Sequence, residues 1–355
     1  MDVKGLVLSG GAGTRLRPIT HTRAKQLVPV AGKPVLFYGL EAMAEAGIRE
    51  VGIIIGDTGD EIRAAVGDGS QFGLEVTFIP QDAPRGLAHA VLTAEEFIGD
   101  SAFCMYLGDN LLRDGVASFV DKFREGSADA MILLQHVPNP SEYGVAELED
   151  GKVKLLVEKP KEPKSDLALV GVYLFTTPIF AAAKALEPSW RGEYEITDAI
   201  QGLVDGGHSV EPHIVTGWWK DTGQLVDMLE ANRLVLDAID TDIQGEVIDS
   251  KLEGRVIIQA GATVERCHIR GPVVICAGAT VRDAYIGPYS AISEDAHVER
   301  AEIEHAILLE RSSIIGIETR IEDSLIGADC VITHSDAIRS ANRLLVGDGS
   351  RIELL

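Results

Sequence analysis

Acidic residues are missing from one stretch of a chain that is otherwise rich in them. No Asp or Glu stands between Val3 and Leu40, although acids make up 55 of the 355 residues. Chance would leave such a gap well under about one time in a hundred. Long apolar runs are also missing. None approaches the length of a membrane span, and the N-terminus lacks a basic stretch followed by a signal-type apolar core, so the chain reads as soluble and cytoplasmic. Cysteine is scarce: Cys104, Cys267, Cys276 and Cys330 show neither zinc-type pairing nor the density of a disulfide scaffold, and read as buried free thiols. Positive charge is outnumbered, and a formal net charge of −23 opposes binding to nucleic acid or an anionic membrane. An anionic substrate must therefore be small and locally held.

Inside the acid-free stretch, the apolar run Val3 to Leu8 enters the turn Ser9-Gly10-Gly11-Ala12-Gly13, and Arg15, Arg17, Arg23, Lys25 and Lys33 follow. A strand leading into such a turn exposes backbone N–H groups that a Cβ would hold away from an anion, and cations alone surround it, so it reads as a cradle for phosphate. Its spacing is neither that of a P-loop, since no Gly-Lys-Ser/Thr closes it, nor the dinucleotide G-x-G-x-x-G pattern.

The length suggests two domains, 1–241 and 242–355, the second with a C-terminal tail. In the first, strand-like runs at Val51–Ile55, Val76–Ile79, Phe103–Leu107 and Ala130–Leu134 alternate with helix-like segments at Val35–Ala46, Leu87–Phe97 and Val116–Arg124. This predicts a doubly wound, mostly parallel, Rossmann-like α/β sheet, with the loops at Ser9, Pro80 and Gly108 facing one crevice beyond the strand ends. From about Gly245 the period changes. Aliphatic residues recur every five or six positions, from Ile258, Val264, Ile269 and Ile275 to Ile326 and Ile332, with small residues between them. That spacing predicts a parallel β-helix of the hexapeptide type, with about three strands per turn.

Several residues carry candidate chemistry. Gly108-Asp109-Asn110 follows a strand and places a carboxylate at the ligand edge; Asp221, in Trp218-Trp219-Lys220-Asp221, is a candidate second ligand for Mg²⁺, an ion that usually takes one or two carboxylates from protein. Sequence distance alone does not pair them, and a polar turn explains Asp109 equally well. The tryptophans read as core or rim packing. Gln81, shortly before Gly86-Leu87-Ala88, has an amide able to pair with a base edge, or simply sits in a turn. Lys159, in Glu158-Lys159-Pro160, reads by itself as part of a solvated loop. Gly192-Glu193-Tyr194-Glu195-Ile196-Thr197-Asp198 reads as helix capping or as a site for sugar hydroxyls. His21, His89, His136 and His208 show no partner pattern.

Taken in order, GGAGTRLRP, Lys25 in AKQLVPV, Gln81 with GLAHA, GDN, EKP, GEYEITD and WWKDTG resemble the sugar nucleotidylyltransferase family, in its long form with a C-terminal left-handed parallel β-helix. The resemblance implies that Gly10, Gly11, Gly13, Thr14 and Arg15 hold a nucleoside triphosphate, with Lys25 on the reacting phosphates and Gln81 and Gly86 at the pyrimidine. It implies that Asp109 and Asp221 bind Mg²⁺, that Lys159 holds the phosphate of the sugar, and that Glu158, Tyr143, Gly144, Gly171 and Glu193 surround its hydroxyls. The implied reaction joins dTTP and glucose 1-phosphate by direct in-line attack, releasing pyrophosphate. Lys220 beside Asp221, and the loop Asp82-Ala83-Pro84-Arg85, depart from shorter members and leave the base contacts open. UTP as the nucleotide, an added acyltransferase activity on the β-helix and a non-catalytic regulatory subunit are the competing readings. Self-association is expected of the β-helix, whose ends and faces need cover.

Overall fold

The computed structural model describes residues 2–11, 13–334, 344, 346 and 349–353. They fall into two compact units. The first comprises Met1–Ala12, Arg23–Leu27 and Val35–Asp221, and the second Gly13–Thr22, Val28–Pro34 and Thr222–Leu355.

In the first unit the strands Ala102–Leu107, Val3–Ser9, Glu50–Ile55 and Glu75–Pro80 lie side by side and parallel. Alternate residues of each strand enter opposite cores, as a period of two requires. Val7, Val51, Ile53, Cys104 and Tyr106 pack with Leu36, Leu40, Ile62 and Phe123 on one face. Leu6, Ile54, Phe103 and Met105 pack with Val91, Ile179, Ile196 and Leu203 on the other. Helices therefore cover both faces, as in the doubly wound arrangement anticipated from sequence.

The sheet is extended by a strand that the sequence reading did not single out. Leu167–Phe175, buried along its whole length, runs antiparallel to Ala102–Leu107 on one side and to Ala130–His136 on the other. It also carries the hairpin Gly144–Glu149 and Lys152–Glu158. The parallel order thus holds for the first four strands and for Ala130–His136 with Val210–Ile214, but not across this insertion. The register breaks between Leu169 and Tyr173, where Gly171 has φ +81°, and an added Cβ would stand 2.8 Å from Leu107 Cδ1. A strand of this kind needs glycine there. The predicted helix Leu87–Phe97 is two helices, Leu87–Thr93 and Glu95–Ile98, separated at Ala94.

In the second unit, short strands stack in register as successive coils, Val256–Ile258 on Val273–Ile275 on Ser290–Ile292, with parallel companions on the other sides. The aliphatic column read from the sequence is fully buried from Ile258 to Ile314 and only partly buried at Ile321, Ile326 and Ile332, in the last coil among the described residues. Corner residues Asp249, Arg266, Asp283 and Arg300 take φ between 45° and 52°. Arg266 grips Asp283, 17 positions on in the next coil, with Nε and Nη2 each 2.7 Å from a carboxylate oxygen. Three cysteines are buried as expected; Cys330 is exposed, beside the strand Val331–Thr333, on which no further strand stacks among the described residues. Among the described residues no helix is long and apolar enough to cross a membrane.

Asn232, on the helix Leu225–Leu236 and 0% exposed, ties this unit together. Its Oδ1 accepts from the Ala31 N–H at 2.8 Å and its Nδ2 donates to the Tyr289 carbonyl at 2.8 Å. Both Ala31 and Tyr289 hold positive φ, a backbone setting that non-glycine residues seldom adopt unaided. Asn232→Ala leaves both groups without this partner, and urea unfolding is expected to show a loss of about 2–4 kcal/mol.

Candidate active site

The carboxyl ends of the parallel strands converge. After Ser9 the chain passes Gly10 and Gly11; after Leu107 it turns at Gly108, whose N–H is bonded to the Leu8 carbonyl at 3.0 Å. A Cβ at Gly10 would stand 3.2 Å from Gln81 Oε1, and one at Gly11 3.4 Å from Lys25 Cε. The loops at Ser9, Pro80 and Gly108 therefore do share one edge, as the strand order demands.

Lys25 opens a short 3-10 turn, Lys25–Leu27, anchored by the Ala24 N–H to Glu61 Oε2 bond at 2.6 Å. Its ammonium is bonded to Asp109 Oδ2 in an ion pair whose side chains are only 19% and 13% exposed. Asp109 Oδ1 accepts from Asn110 Nδ2 at 3.1 Å. Burial pushes the Asp109 carboxyl up, but the charge and hydrogen bond of Lys25 more than reverse this, and the group lies below the usual carboxylate range.

Asn110 is buried, and its Oδ1 accepts from Trp219 Nε1. The Tyr143 ring meets Trp219 edge-on with centroids 5.3 Å apart. Trp219 thus joins two of the sequence motifs as well as packing between them. Its strand, Trp219–Asp221, runs antiparallel to Asn110–Leu112 and sets Asp221 opposite Asn110. The pairing that sequence distance could not supply comes from this ladder, which brings Asp221 beside the residue that follows Asp109. Among the described residues there is no group of three or more His, Cys, Asp or Glu arranged to hold a metal ion. Two hard carboxylates are nonetheless the number that Mg²⁺ commonly takes from protein, and Asp109 and Asp221 fit that donor set.

A second cluster lies on the antiparallel side. Gly144 pairs with Glu158, and Lys159, with φ 43°, donates its N–H to the Tyr143 carbonyl at 3.0 Å. Glu158 Oε2 accepts from the Thr197 hydroxyl at 2.7 Å. Arg191 reaches Glu158 at 3.3 Å, Glu193 at 3.0 Å and Glu195 at 3.3 Å. Glu195 precedes the helix Ile196–Asp205 but makes no capping bond with its side chain; it is held by Arg191 and by the Ser189 hydroxyl at 2.9 Å. The capping explanation therefore fails for Glu195. Gly171 stands beside Asn110, and Gly86, with φ +104°, abuts Tyr194, whose O and N would lie 2.5 and 2.7 Å from an added Cβ. The Tyr194 N–H and carbonyl bond to Arg85 O and Ala88 N, strapping GLAHA to GEYEITD.

Gly13, Thr14 and Arg15 belong to the second unit. Gly13 precedes the turn Thr14–Leu16 and its carbonyl accepts from the Thr20 hydroxyl at 2.7 Å; Thr14 and Arg15 are exposed. Within the first unit, Gly10, Gly11, Lys25, Gln81 and Asp109 come together, as do Tyr143, Gly144, Glu158, Lys159 and Glu193. Arg191 and His89 were missed. Arg191 is the lone cation between Ser189 and Asp198, a run with three acids, and that imbalance was a usable signal.

Residues 4–238 match the family described as nucleotidyl transferase. Over 354 residues, 99% of each chain, this protein is 54% identical to a glucose-1-phosphate thymidylyltransferase of Streptomyces griseus. It is 52% identical over 355 residues, again 99% of each chain, to the enzyme of the same name from Streptomyces antibioticus. A solved UDP-glucose pyrophosphorylase complexed with UDP-glucose superposes with a TM-score of 0.60 at 26% identity, covering 67% of this chain and 100% of that one.

Burial is the largest influence on Glu195 and pushes its carboxyl up; the Ser189 hydroxyl and Arg191 pull down, the Glu158 and Glu193 charges push up, and the balance is upward. A carboxyl raised on folding costs stability once it ionises, and Arg191→Met raises it further. Below about pH 4, where the unfolded carboxyl is also protonated, variant and wild type lose nothing to this term. The extra loss then grows with pH towards about 2 kcal/mol near neutrality, which denaturant titrations at several pH values will measure.

Proposed function

The chain belongs to the nucleotidyl transferase family, and from that membership we propose that it is a glucose-1-phosphate thymidylyltransferase, making dTDP-glucose and pyrophosphate from dTTP and glucose 1-phosphate. The observation that carries the reading is the Lys25–Asp109 ion pair beside Gly11, at the carboxyl edge of the parallel strands. It stores a cation for phosphate and a carboxylate for a metal ion in one place.

In the proposed reaction a phosphate oxygen of glucose 1-phosphate attacks the α-phosphorus of dTTP, and the bond from that phosphorus to the pyrophosphate oxygen breaks. No covalent enzyme intermediate is needed. Gly10, Gly11, Gly13, Thr14 and Arg15 bind the triphosphate, the glycines by letting backbone N–H groups approach it. Lys25 leaves Asp109 for the reacting phosphates. Asp109 and Asp221 would hold Mg²⁺, which would supply a divalent charge to offset that of the phosphates. Gln81 and Gly86 meet the pyrimidine. Lys159 holds the sugar phosphate, while Glu158, fixed by Thr197 and Arg191, acts with Glu193, Tyr143, Gly144 and Gly171 around the sugar. Two anions must be brought into line, so positioning and fixed cations supply most of the acceleration. The reading takes the protein to be cytoplasmic and a homo-oligomer assembled through its coils.

Lys25→Ala and Asp109→Asn are each expected to lower pyrophosphate release by roughly a hundredfold or more while circular dichroism stays unchanged. Near-normal turnover in either variant overturns these roles. Thymine differs from uracil by one methyl group, a contact that discriminates by only about 1–3 kcal/mol, so UTP will be used measurably but less well. The ratio of kcat/KM for dTTP and UTP tests this, and a strong preference for UTP would replace the proposed nucleotide.

A further inference from the structure

His89 carries no role in the reaction outlined above, yet it is bonded to a residue that does. The Gln81 N–H is fixed by the Ile55 carbonyl at 2.9 Å, and its carboxamide lies over Gly10, with Oε1 3.2 Å from where a Cβ would stand. The amide nitrogen, Nε2, is 2.9 Å from His89 Nδ1. His89 lies early in the helix Leu87–Thr93, next to Ala88, whose N–H is bonded to the Tyr194 carbonyl at 3.0 Å. The far ring nitrogen, Nε2, faces Asp82 Oδ1 at 3.5 Å, and Asp82 Oδ2 accepts from Arg85 Nη2 at 2.9 Å.

The protonation sense of this chain follows from its members. An amide nitrogen only donates, so Nδ1 of His89 is the accepting nitrogen and the ring proton sits on Nε2, towards the Asp82 carboxylate. Gln81, His89 and Asp82 are thereby linked in one donor-to-acceptor sense, and Arg85 donates to the same carboxylate from the other side. The terminal torsion of a glutamine has two nearly equivalent settings, which exchange oxygen for nitrogen. Here one setting is kept: the oxygen over Gly10, the nitrogen on the imidazole with one N–H left over.

We infer that His89 is a positioning residue which locks the Gln81 amide in this orientation and so selects a pyrimidine-2,4-dione over a 4-aminopyrimidine. The inference rests on the proposal that Gln81 meets the base. A dione edge presents carbonyl, N–H and carbonyl, whereas the 4-amino base presents an amino group where the first has a carbonyl and a bare nitrogen where it has N–H. An amide of fixed sense matches the first edge and sets donor against donor, or acceptor against acceptor, on the second. A mobile amide serves both by turning over. Selectivity then comes from the repulsion that the fixed amide imposes on the wrong base as much as from attraction to the right one.

The test measures kcat/KM for dTTP and dCTP, with glucose 1-phosphate saturating, in the full-length wild type and in His89→Leu, His89→Gln, Asp82→Ala and Gln81→Leu. His89→Leu is expected to lower the dTTP-to-dCTP ratio by about tenfold or more, mainly through KM, because the acceptor that holds the amide is gone. His89→Gln retains an acceptor and preserves most of the ratio. Asp82→Ala, at a side chain 63% exposed, removes the acceptor that faces Nε2 and shifts the ratio in the same direction. A packing role alone would slow both nucleotides alike. A ratio unchanged by His89→Leu, or by Asp82→Ala should the leucine variant fail to fold, overturns the inference. If Gln81→Leu also leaves the ratio unchanged, the base-binding role of Gln81 falls with it; if Gln81→Leu alone collapses the ratio, only the role of His89 is lost.

Discussion

Two opposite charges taken largely out of water must face each other, and the bond between Lys25 and Asp109 meets that requirement at the ligand edge of the sheet. The acid-free stretch of sequence takes its meaning from it. Lys25 lies in a segment without a carboxylate of its own, so its partner comes from the end of a different strand, and the strand order makes those two ends neighbours. An acid nearer in sequence would keep the ammonium occupied locally. A partner delivered by the fold can be exchanged when phosphate and a metal ion arrive, which is the use proposed for it.

The other side of the first unit applies the same physics with the signs reversed. There a single cation, Arg191, serves Glu158, Glu193 and Glu195, while Thr197 takes the remaining oxygen of Glu158. The two centres share the strand Leu167–Phe175, whose glycine at 171 stands beside Asn110, the residue bonded to Asp109. Backbone bonds through Tyr194 tie the segment after Gln81 to the acidic turn before the helix Ile196–Asp205. Segments more than a hundred residues apart thus reach one another through main-chain groups, so their side chains need not spend contacts on holding the loops in place.

Much of this was legible in the residues themselves, because hydrophobic period reports what is buried. The parallel strands, the helices over both faces and the column of Ile258, Ile275 and Ile292 follow from spacing alone. Direction is another matter. Leu167–Phe175 is apolar throughout, since both its faces are covered, and such a run reads the same whether it lies parallel or antiparallel. The glycine loop, Asp109 and Glu158 were visible as motifs. The neighbourhood of Asp109 and Asp221 was not, since it depends on the pairing of Asn110–Leu112 with Trp219–Asp221, two three-residue strands without pattern of their own. His89 escaped for a related reason: a lone imidazole gains significance only from what stands next to it. Cys330, read as buried, is exposed: among the described residues no strand stacks beyond its coil, and the identity of the residue does not tell of that.

The corners of that column are tied from coil to coil by charge. Arg266 and Asp283 occupy equivalent left-handed corners in adjacent coils, and each needs its counterpart directly above or below. The coils are not all of one length: Val256 stacks on Val273 after 17 residues, Ala291 on Ile307 after 16 and Ile307 on Leu325 after 18, while Ile303, Leu308 and Ile314 stay in the buried column. The bends can therefore take up or give back a residue, and evolution can edit such a stack at its edges without disturbing what faces the interior.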